Sequence, residues 1–392
     1  MISKRGGRKV LVKFLLHQLK HQVKSMKKLA MVLFALSFLS TAVKSQVAKN
    51  FSYSIYGEVH YNDIVQDAQG PATKGELDFH KAFFKAGYKF SKNISVTTRL
   101  RVEHLFDEHY NNGDAFIDQA YLSYKLSPEF NIKAGVIPVL LNAGKSKPYG
   151  TVETSPVEKY LAFTWREAGV EFNGTFENSF SYKVAFTTGL DASEIQAKSG
   201  IFSARNSEFT SSLSNLAAGV QFKYKPIYGM TVGTSALWSG LENGDGYGES
   251  LKGADYKVAE GFVSYKYHDI TTRVVGVYST ISEVEKINAV VGNKIGSSQY
   301  GLLGEIGYDF HELFSLTKYE EHFLVFVRAA SYDTKFRTSG ITDDPDYERY
   351  EYSLGLVYKP VKFLELKADY QLLRSRGDRD LQQFDISLGY KF

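Results

Sequence analysis

Cysteine is absent from the 392-residue chain, which rules out a disulfide framework, thiolate chemistry and any cysteine-built metal cage. Tryptophan (2 residues) and proline (8 residues) are both scarce. Beyond residue 45 no stretch approaches the roughly 18 consecutive apolar residues of a membrane-crossing helix, and the mean hydropathy is −0.25. A helical membrane protein is thereby excluded.

An excess of positive charge is missing as well, once the chain is divided. The formal net charge is +4, but residues 1–45 carry ten Lys or Arg and no Asp or Glu. The remainder holds 37 basic against 43 acidic residues, a net of −6. The basic balance belongs to the N-terminal segment and argues for no nucleic-acid partner. In that segment Lys27 and Lys28 precede an apolar run from Leu29 to Leu39 and a small-residue exit at Val43 and Ser45, before Gln46. This is the layout of a cleaved secretory signal peptide. The expected organisation is a basic leader or mis-called start over residues 1–25, with Met26 as the true start. A signal peptide over 26–45 and a single domain over 46–392 then follow. An exported chain without disulfides suits a Gram-negative envelope.

What the sequence does have is 27 Tyr and 28 Phe at low mean hydropathy, as expected where only every second residue of a strand meets lipid. The last nine residues show the pattern. Phe384, Ile386, Leu388, Tyr390 and Phe392 fall on one face of an extended strand, and Asp385, Ser387, Gly389 and Lys391 on the other. Sixteen alternating segments are expected, near 51–61, 79–90, 94–104, 116–126, 131–138, 166–172, 180–188, 216–224, 230–238, 256–267, 270–279, 299–310, 322–332, 350–358, 364–372 and 384–392.

The connections alternate too. Short turns such as Ser91-Lys92-Asn93, Ser127-Pro128-Glu129-Phe130 and Lys359-Pro360-Val361 follow even strands. Longer polar loops such as 62–78, 189–215 and 280–298 follow odd ones. One connection on the short side, His311 to Glu321, is too long for a turn. Just before the short turns, aromatics recur at i and i+2: Tyr88 and Phe90, Phe222 and Tyr224, Tyr265 and Tyr267, Tyr308 and Phe310, Tyr390 and Phe392. Rings repeated at one depth make an interfacial girdle. Hydrocarbon supplies no water to unpaired backbone groups, so such a sheet must close. The expected fold is therefore all-β, a closed transmembrane antiparallel β-barrel of sixteen strands. Its lumen is too wide for side chains alone to fill, which implies an aqueous channel.

Assigning the greasier face of each strand to lipid turns Lys81, Lys85 and Lys89 of the second strand inward, with Arg99, Arg101 and Glu103 of the third. Inward acids gather elsewhere: Glu305, Asp309, Glu351, Glu365, Asp369 and Asp385. Two readings are open: charges that merely keep a lumen wet and rigid, or an anion-selective path. The tenth, eleventh and thirteenth strands are apolar on both faces, which leaves the sides of Arg273 and Arg328 open.

The third long loop, residues 139–165, would set the size limit if it folds into the bore. Four stretches carry a resemblance: Pro156 to Gly169, Phe79-His80-Lys81-Ala82, Asp118 to Lys125, and Lys133 to Pro138. They resemble Bacteroidota outer-membrane porins, which are similar to the phosphate-selective porin O and P family. The resemblance covers the N-terminal half well, and the rest as general barrel pattern. It implies a sixteen-stranded, trimeric porin of the Gram-negative outer membrane that passes small hydrophilic solutes or anions. The third loop would then be its constriction, and outer-membrane lipid and lipopolysaccharide its surroundings. Phosphate selectivity in that family goes with third-loop lysines, which here could be Lys145, Lys147 and Lys159; Trp165, Arg166 and Glu167 close the same stretch.

Two rivals belong to other classes: a barrel adhesin or receptor, and an outer-membrane phospholipase-type enzyme. The latter needs His within reach of Ser or an acid. His104, expected on the lipid side near the outer rim, is the candidate. No Ser and Asn set accompanies it in the sequence, and the rim histidines read as solvated. The acidic stretches Asp107 to Asp114 and Asp343-Asp344-Pro345-Asp346 lack calcium-loop spacing. No enzyme activity, cofactor or metal is expected.

Overall fold

The computed structural model describes residues 49–67, 75–104, 114–141, 155–162, 165–205, 215–241, 251–311 and 321–392; the expected leader and signal peptide lie outside them. Sixteen strands form one closed barrel: β1 Phe51–Asp67, β2 Glu76–Lys89, β3 Ile94–Glu103, β4 Asp114–Lys125, β5 Asn131–Pro138, β6 Arg166–Thr175, β7 Phe180–Thr188 and β8 Leu216–Tyr224, then β9 Met230–Gly240, β10 Asp255–Tyr267, β11 Ile270–Ile281, β12 Ser298–Asp309, β13 His322–Arg337, β14 Glu348–Val361, β15 Leu364–Ser375 and β16 Leu381–Lys391. Each strand pairs antiparallel with the next, and β16 returns to β1. The seam is tied at its foot by Ile55 N–H to Phe392 O at 3.0 Å and Phe392 N–H to Ile55 O at 2.9 Å. Among the described residues the sheet has no free edge, as hydrocarbon requires.

The alternation read from the sequence is the alternation of faces. In β16, Asp385 and Ser387 are buried while Ile386 and Leu388 are exposed on the outer wall. In β14, Tyr352, Leu354, Leu356 and Tyr358 point outward. The rings of the girdle touch in pairs, with centroids 5.1 Å apart for Tyr88–Phe90, 4.6 Å for Tyr308–Phe310 and 5.9 Å for Tyr390–Phe392. Tyr390 lies flat on its neighbour because Gly57 has no side chain; a Cβ there would sit 2.3 Å from the ring.

Two of the short turns, after β2 and β4, are tightened by serine. Ser91 Oγ accepts the N–H groups of Asn93 and Ile94 at 3.2 and 3.1 Å, and Ser127 Oγ those of Glu129 and Phe130 at 3.2 and 3.1 Å. Some strands outrun their expected limits: β1 continues to Asp67 and β6 to Thr175. Backbone pairing with β16 persists up to Asp67↔Leu381, above the zone where lipid imposes an apolar face.

The interior differs most from expectation. It is not filled by water alone, because long connections fold back into it and pack on one half of the wall. Leu190, Ile195 and Ile201 of the β7–β8 connection share one apolar core with Val284, Ile287 and Ile295 of the β11–β12 connection. Tyr256, Val277, Leu303 and Tyr332 of the barrel complete it. Within that core lies helix α1, Val284–Val291, ended by Gly292 at φ 79°. This explains why β10, β11 and β13 are apolar on both faces: one meets lipid, the other meets folded loops.

Candidate functional site: a bore crossed by the third loop

The third loop leaves β5 at Pro138 and turns inward at once. Leu140 and Leu141 are buried, Leu140 O accepts from Gln221 Nε2 of β8 at 3.2 Å, and Val139 N–H closes the loop base on Trp165 O at 2.9 Å. Lys145 and Lys147 lie outside the described residues. The returning segment, 155–162, contains a helical turn, Val157–Leu161, that rests on β11, β12 and β13, on the far side of the barrel from the β5–β6 base. The loop thus reaches across the bore.

Two sets of contacts hold it there. The apolar set is Val157 and Leu161 against Gly301 of β12, where a Cβ would come within 2.9 and 2.8 Å of their methyl groups. The polar set is a ladder of six side chains, five of them charged. Arg273 of β11 donates to Glu158 of the loop at 2.7 Å and to Glu305 of β12 at 3.3 Å. Arg328 of β13 donates to Glu305 at 2.9 Å and reaches Glu351 of β14 at 3.5 Å. Glu351 accepts a hydrogen bond from Ser155, back on the loop. Both ends of the ladder are therefore loop residues. All five charged members are buried; removing one partner would strand a charge, at about 3–5 kcal/mol for such pairs.

The wall of β1 to β6 is different in kind. Lys81, Lys85, Lys89, Arg99, Arg101 and Glu103 share the inward face through the pairs Lys81↔Glu103, Lys85↔Arg99 and Phe83↔Arg101. Lys81 meets Glu58 of β1 at 3.2 Å. Asp118 of β4 is bridged to Arg99 and, at 3.0 Å, to Arg166; Arg101 pairs with Glu103. The Arg99 and Arg101 guanidinium groups lie over the Phe83 ring, 4.8 and 5.6 Å from its centroid, an arrangement suited to planar cations. From the β7–β8 connection, Arg205 stacks on Phe202 at 3.7 Å. Burial, with repulsion from Arg101, pushes its pKa down to about 10, against the pull of Glu103 and Glu167. Lys85 and Lys89 are the most exposed members of this face.

The remaining expected positions also lie on the inward face, mostly engaged. Glu365 is held by Lys359 and Lys367, both at 2.8 Å. Asp369 and Asp385 share Gln371 Nε2 at 2.7 and 3.2 Å. Asp309, at the short-turn rim, meets His322 at 2.7 Å. Glu167 accepts from Thr188 at 2.6 Å, Trp165 is buried in the loop core, and Lys159 is exposed. One expectation is corrected: His104 does not project to lipid. Its left-handed backbone, φ 50°, turns the ring back to Asp78, with Nδ1 2.7 Å from the carboxylate.

Sequence reasoning missed Glu58, Asp118, Glu158, Arg205, Arg273 and Arg328 as participants. Glu58 was within reach of the sequence, since in β1 it shares one period-two face with Tyr56 and His60. Glu158 was not, because nothing local says which strands a crossing loop will meet.

No family model matches the chain. A curated relative, an uncharacterized protein of Aquifex aeolicus, is 27% identical over 362 residues, spanning 87% of this chain and 80% of its own length. Among solved structures, an anion-selective porin from Comamonas acidovorans superimposes with TM-score 0.58 at 9% identity, over 87% of this chain and 100% of that one. The outer-membrane channel DcaP of Acinetobacter baumannii does so with TM-score 0.58 at 12% identity, over 89% and 99%. Salmonella typhi OmpF gives TM-score 0.58 at 11% identity, over 88% and 98%. At these identities the shared property is the fold, a porin-type barrel.

Proposed function

We propose that the protein is a porin of the Gram-negative outer membrane, a passive diffusion channel for small hydrophilic solutes with a bias toward anions and no chemical turnover. One observation carries the reading: the third loop crosses the bore and is fastened to the far wall by the Glu158–Arg273–Glu305–Arg328–Glu351 ladder. That fastening leaves the β1–β6 wall, with Lys81, Lys85, Lys89, Arg99 and Arg101, as the free border of the passage. On this wall Glu58, Asp118 and Glu103 pair with Lys81, Arg99 and Arg101, so Lys85 and Lys89 are the exposed cations of the five, while elsewhere Glu305 and Glu351 are neutralised in the ladder and Glu365 between two lysines. A positive wall at a narrowing concentrates anions. The porin-type fold and the anion selectivity named for the Comamonas protein point the same way.

Phosphate is the specific anion suggested by the resemblance of residues 156–169 to the phosphate-selective family. In the membrane the outer face would meet lipid and lipopolysaccharide, and a homotrimer is the assembly we propose; a trimer form is described for Vibrio cholerae OmpT. Efflux from proteoliposomes tests the reading. Uncharged sugars should leave with a sharp size limit, and small organic anions faster than cations of equal size. No efflux above protein-free vesicles would sink the channel reading; equal anion and cation rates would remove the bias.

A further inference from the structure

We propose that each mouth of the barrel carries a site for a divalent first-row transition-metal ion, formed by Asp78, His80 and His104 at the long-loop rim and by Asp309, His311 and His322 at the short-turn rim. In each trio one carboxylate oxygen and two imidazole nitrogens all lie within 4.8 Å of one another.

The long-loop site is built by two irregularities of the backbone. A bulge shifts the β1–β2 register between Glu58↔Lys81 and His60↔Asp78, so that Phe79 and His80 occupy the space of one residue. His80 Nδ1 then stands 3.5 Å from Asp78 Oδ2. At the end of β3, the left-handed turn at His104 brings a second Nδ1 to 2.7 Å from the same oxygen. Behind them the His60 ring stacks on His80, centroids 4.0 Å apart and 10° from parallel, while His60 is itself bonded to Glu58. A histidine held by a carboxylate and packed on a ligand ring is the kind of support that fixes metal ligands in place.

The short-turn site sits where the β12–β13 connection breaks the rule of short turns. His311 and His322 stand at its two ends, their ring centroids 5.5 Å apart. His322 Nδ1 lies 2.7 Å from Asp309 Oδ2, and Asp269 of the neighbouring turn stands 3.4 Å from His311 Nδ1. The sequence read these histidines as solvated one by one; only the fold gathers them.

Two imidazoles and a carboxylate suit zinc, nickel, cobalt or copper, whereas calcium and magnesium want oxygen ligands. Bonds of about 2.0–2.1 Å in a tetrahedral site put ligand atoms about 3.3 Å apart. The 2.7 and 3.5 Å separations at Asp78 bracket that spacing. Three protein ligands leave a coordination position for water or a passing solute.

The proposal rests on side-chain geometry and is independent of the channel reading. Its test uses the untagged, folded barrel in detergent, stripped by chelator and titrated with Zn²⁺ in a calorimeter, with Co²⁺ absorption as a second readout. Two equivalents per chain are expected, falling to one in His104→Gln and one in His322→Gln, with circular dichroism confirming that each variant is folded. In bilayers, Zn²⁺ added at the long-loop side should reduce the current of the parent but not of His104→Gln. Zn²⁺ at the other side should fail only against His322→Gln. Absence of saturable binding overturns the proposal, and a variant that leaves the count unchanged overturns the site at its rim.

Discussion

Arg273 of β11 and Glu158 of the third loop, 115 residues apart in sequence, meet at 2.7 Å inside the barrel. This contact turns an external loop into part of the inner wall. Arg273 also bonds Glu305, which in turn serves Arg328, so the loop is tied to β11, β12, β13 and β14 at once.

Arg273→Leu should free the loop and leave Glu158 without its charge partner. Stability should fall by about 3–5 kcal/mol, the cost typical of breaking a buried ion pair, and unit conductance should rise. Equilibrium urea unfolding in lipid vesicles reads the first and single-channel recording the second. Unchanged conductance would mean that the loop does not need the ladder.

Gly301→Leu attacks the same docking from the apolar side. Its Cβ would fall 2.8 Å from Leu161, and overfilling a packed site costs about 1–3 kcal/mol. A wider passage for uncharged sugars is expected, with far-ultraviolet circular dichroism unaltered. A size limit equal to that of the parent would contradict the docking of Val157 and Leu161.

Lys81→Glu combined with Lys85→Glu should shift the reversal potential under a KCl gradient toward cation preference. Lys85 is exposed on the inward face and Lys81 sits beside Glu58 at 3.2 Å, so the reversal places several acids together. If the potential stays where it was, these lysines serve only the wall.

Leu302→Arg, at the middle of β12 on the outer face where the residue is 53% exposed, should destabilise the barrel in vesicles by about 2–4 kcal/mol. Lys89→Ala on the inner face should change stability by less than about 0.5 kcal/mol. Similar effects at the two positions would undo the assignment of faces.

The wall was legible in the sequence because lipid imposes a period-two rule on each strand separately; Ile386 and Leu388 outward and Asp385 and Ser387 inward follow from that rule alone. Arg273 and Arg328 were not assignable, since their strands face lipid on one side and loop core on the other, and both faces are apolar for different reasons. His104 misled because the strand rule was extended one residue too far; β3 ends at Glu103 and the next residue takes φ 50°. The ladder stayed hidden for a further reason. It joins a loop to strands on the opposite wall, and a pairing at that separation leaves no periodic trace.

Planar-bilayer recording of the refolded chain bears most directly on whether a hydrated passage survives beside the docked loop. The account predicts discrete, ohmic steps whose size grows when Arg273 is replaced by Leu. A membrane that stays silent at saturating protein, with the barrel shown to be folded and inserted, would contradict it.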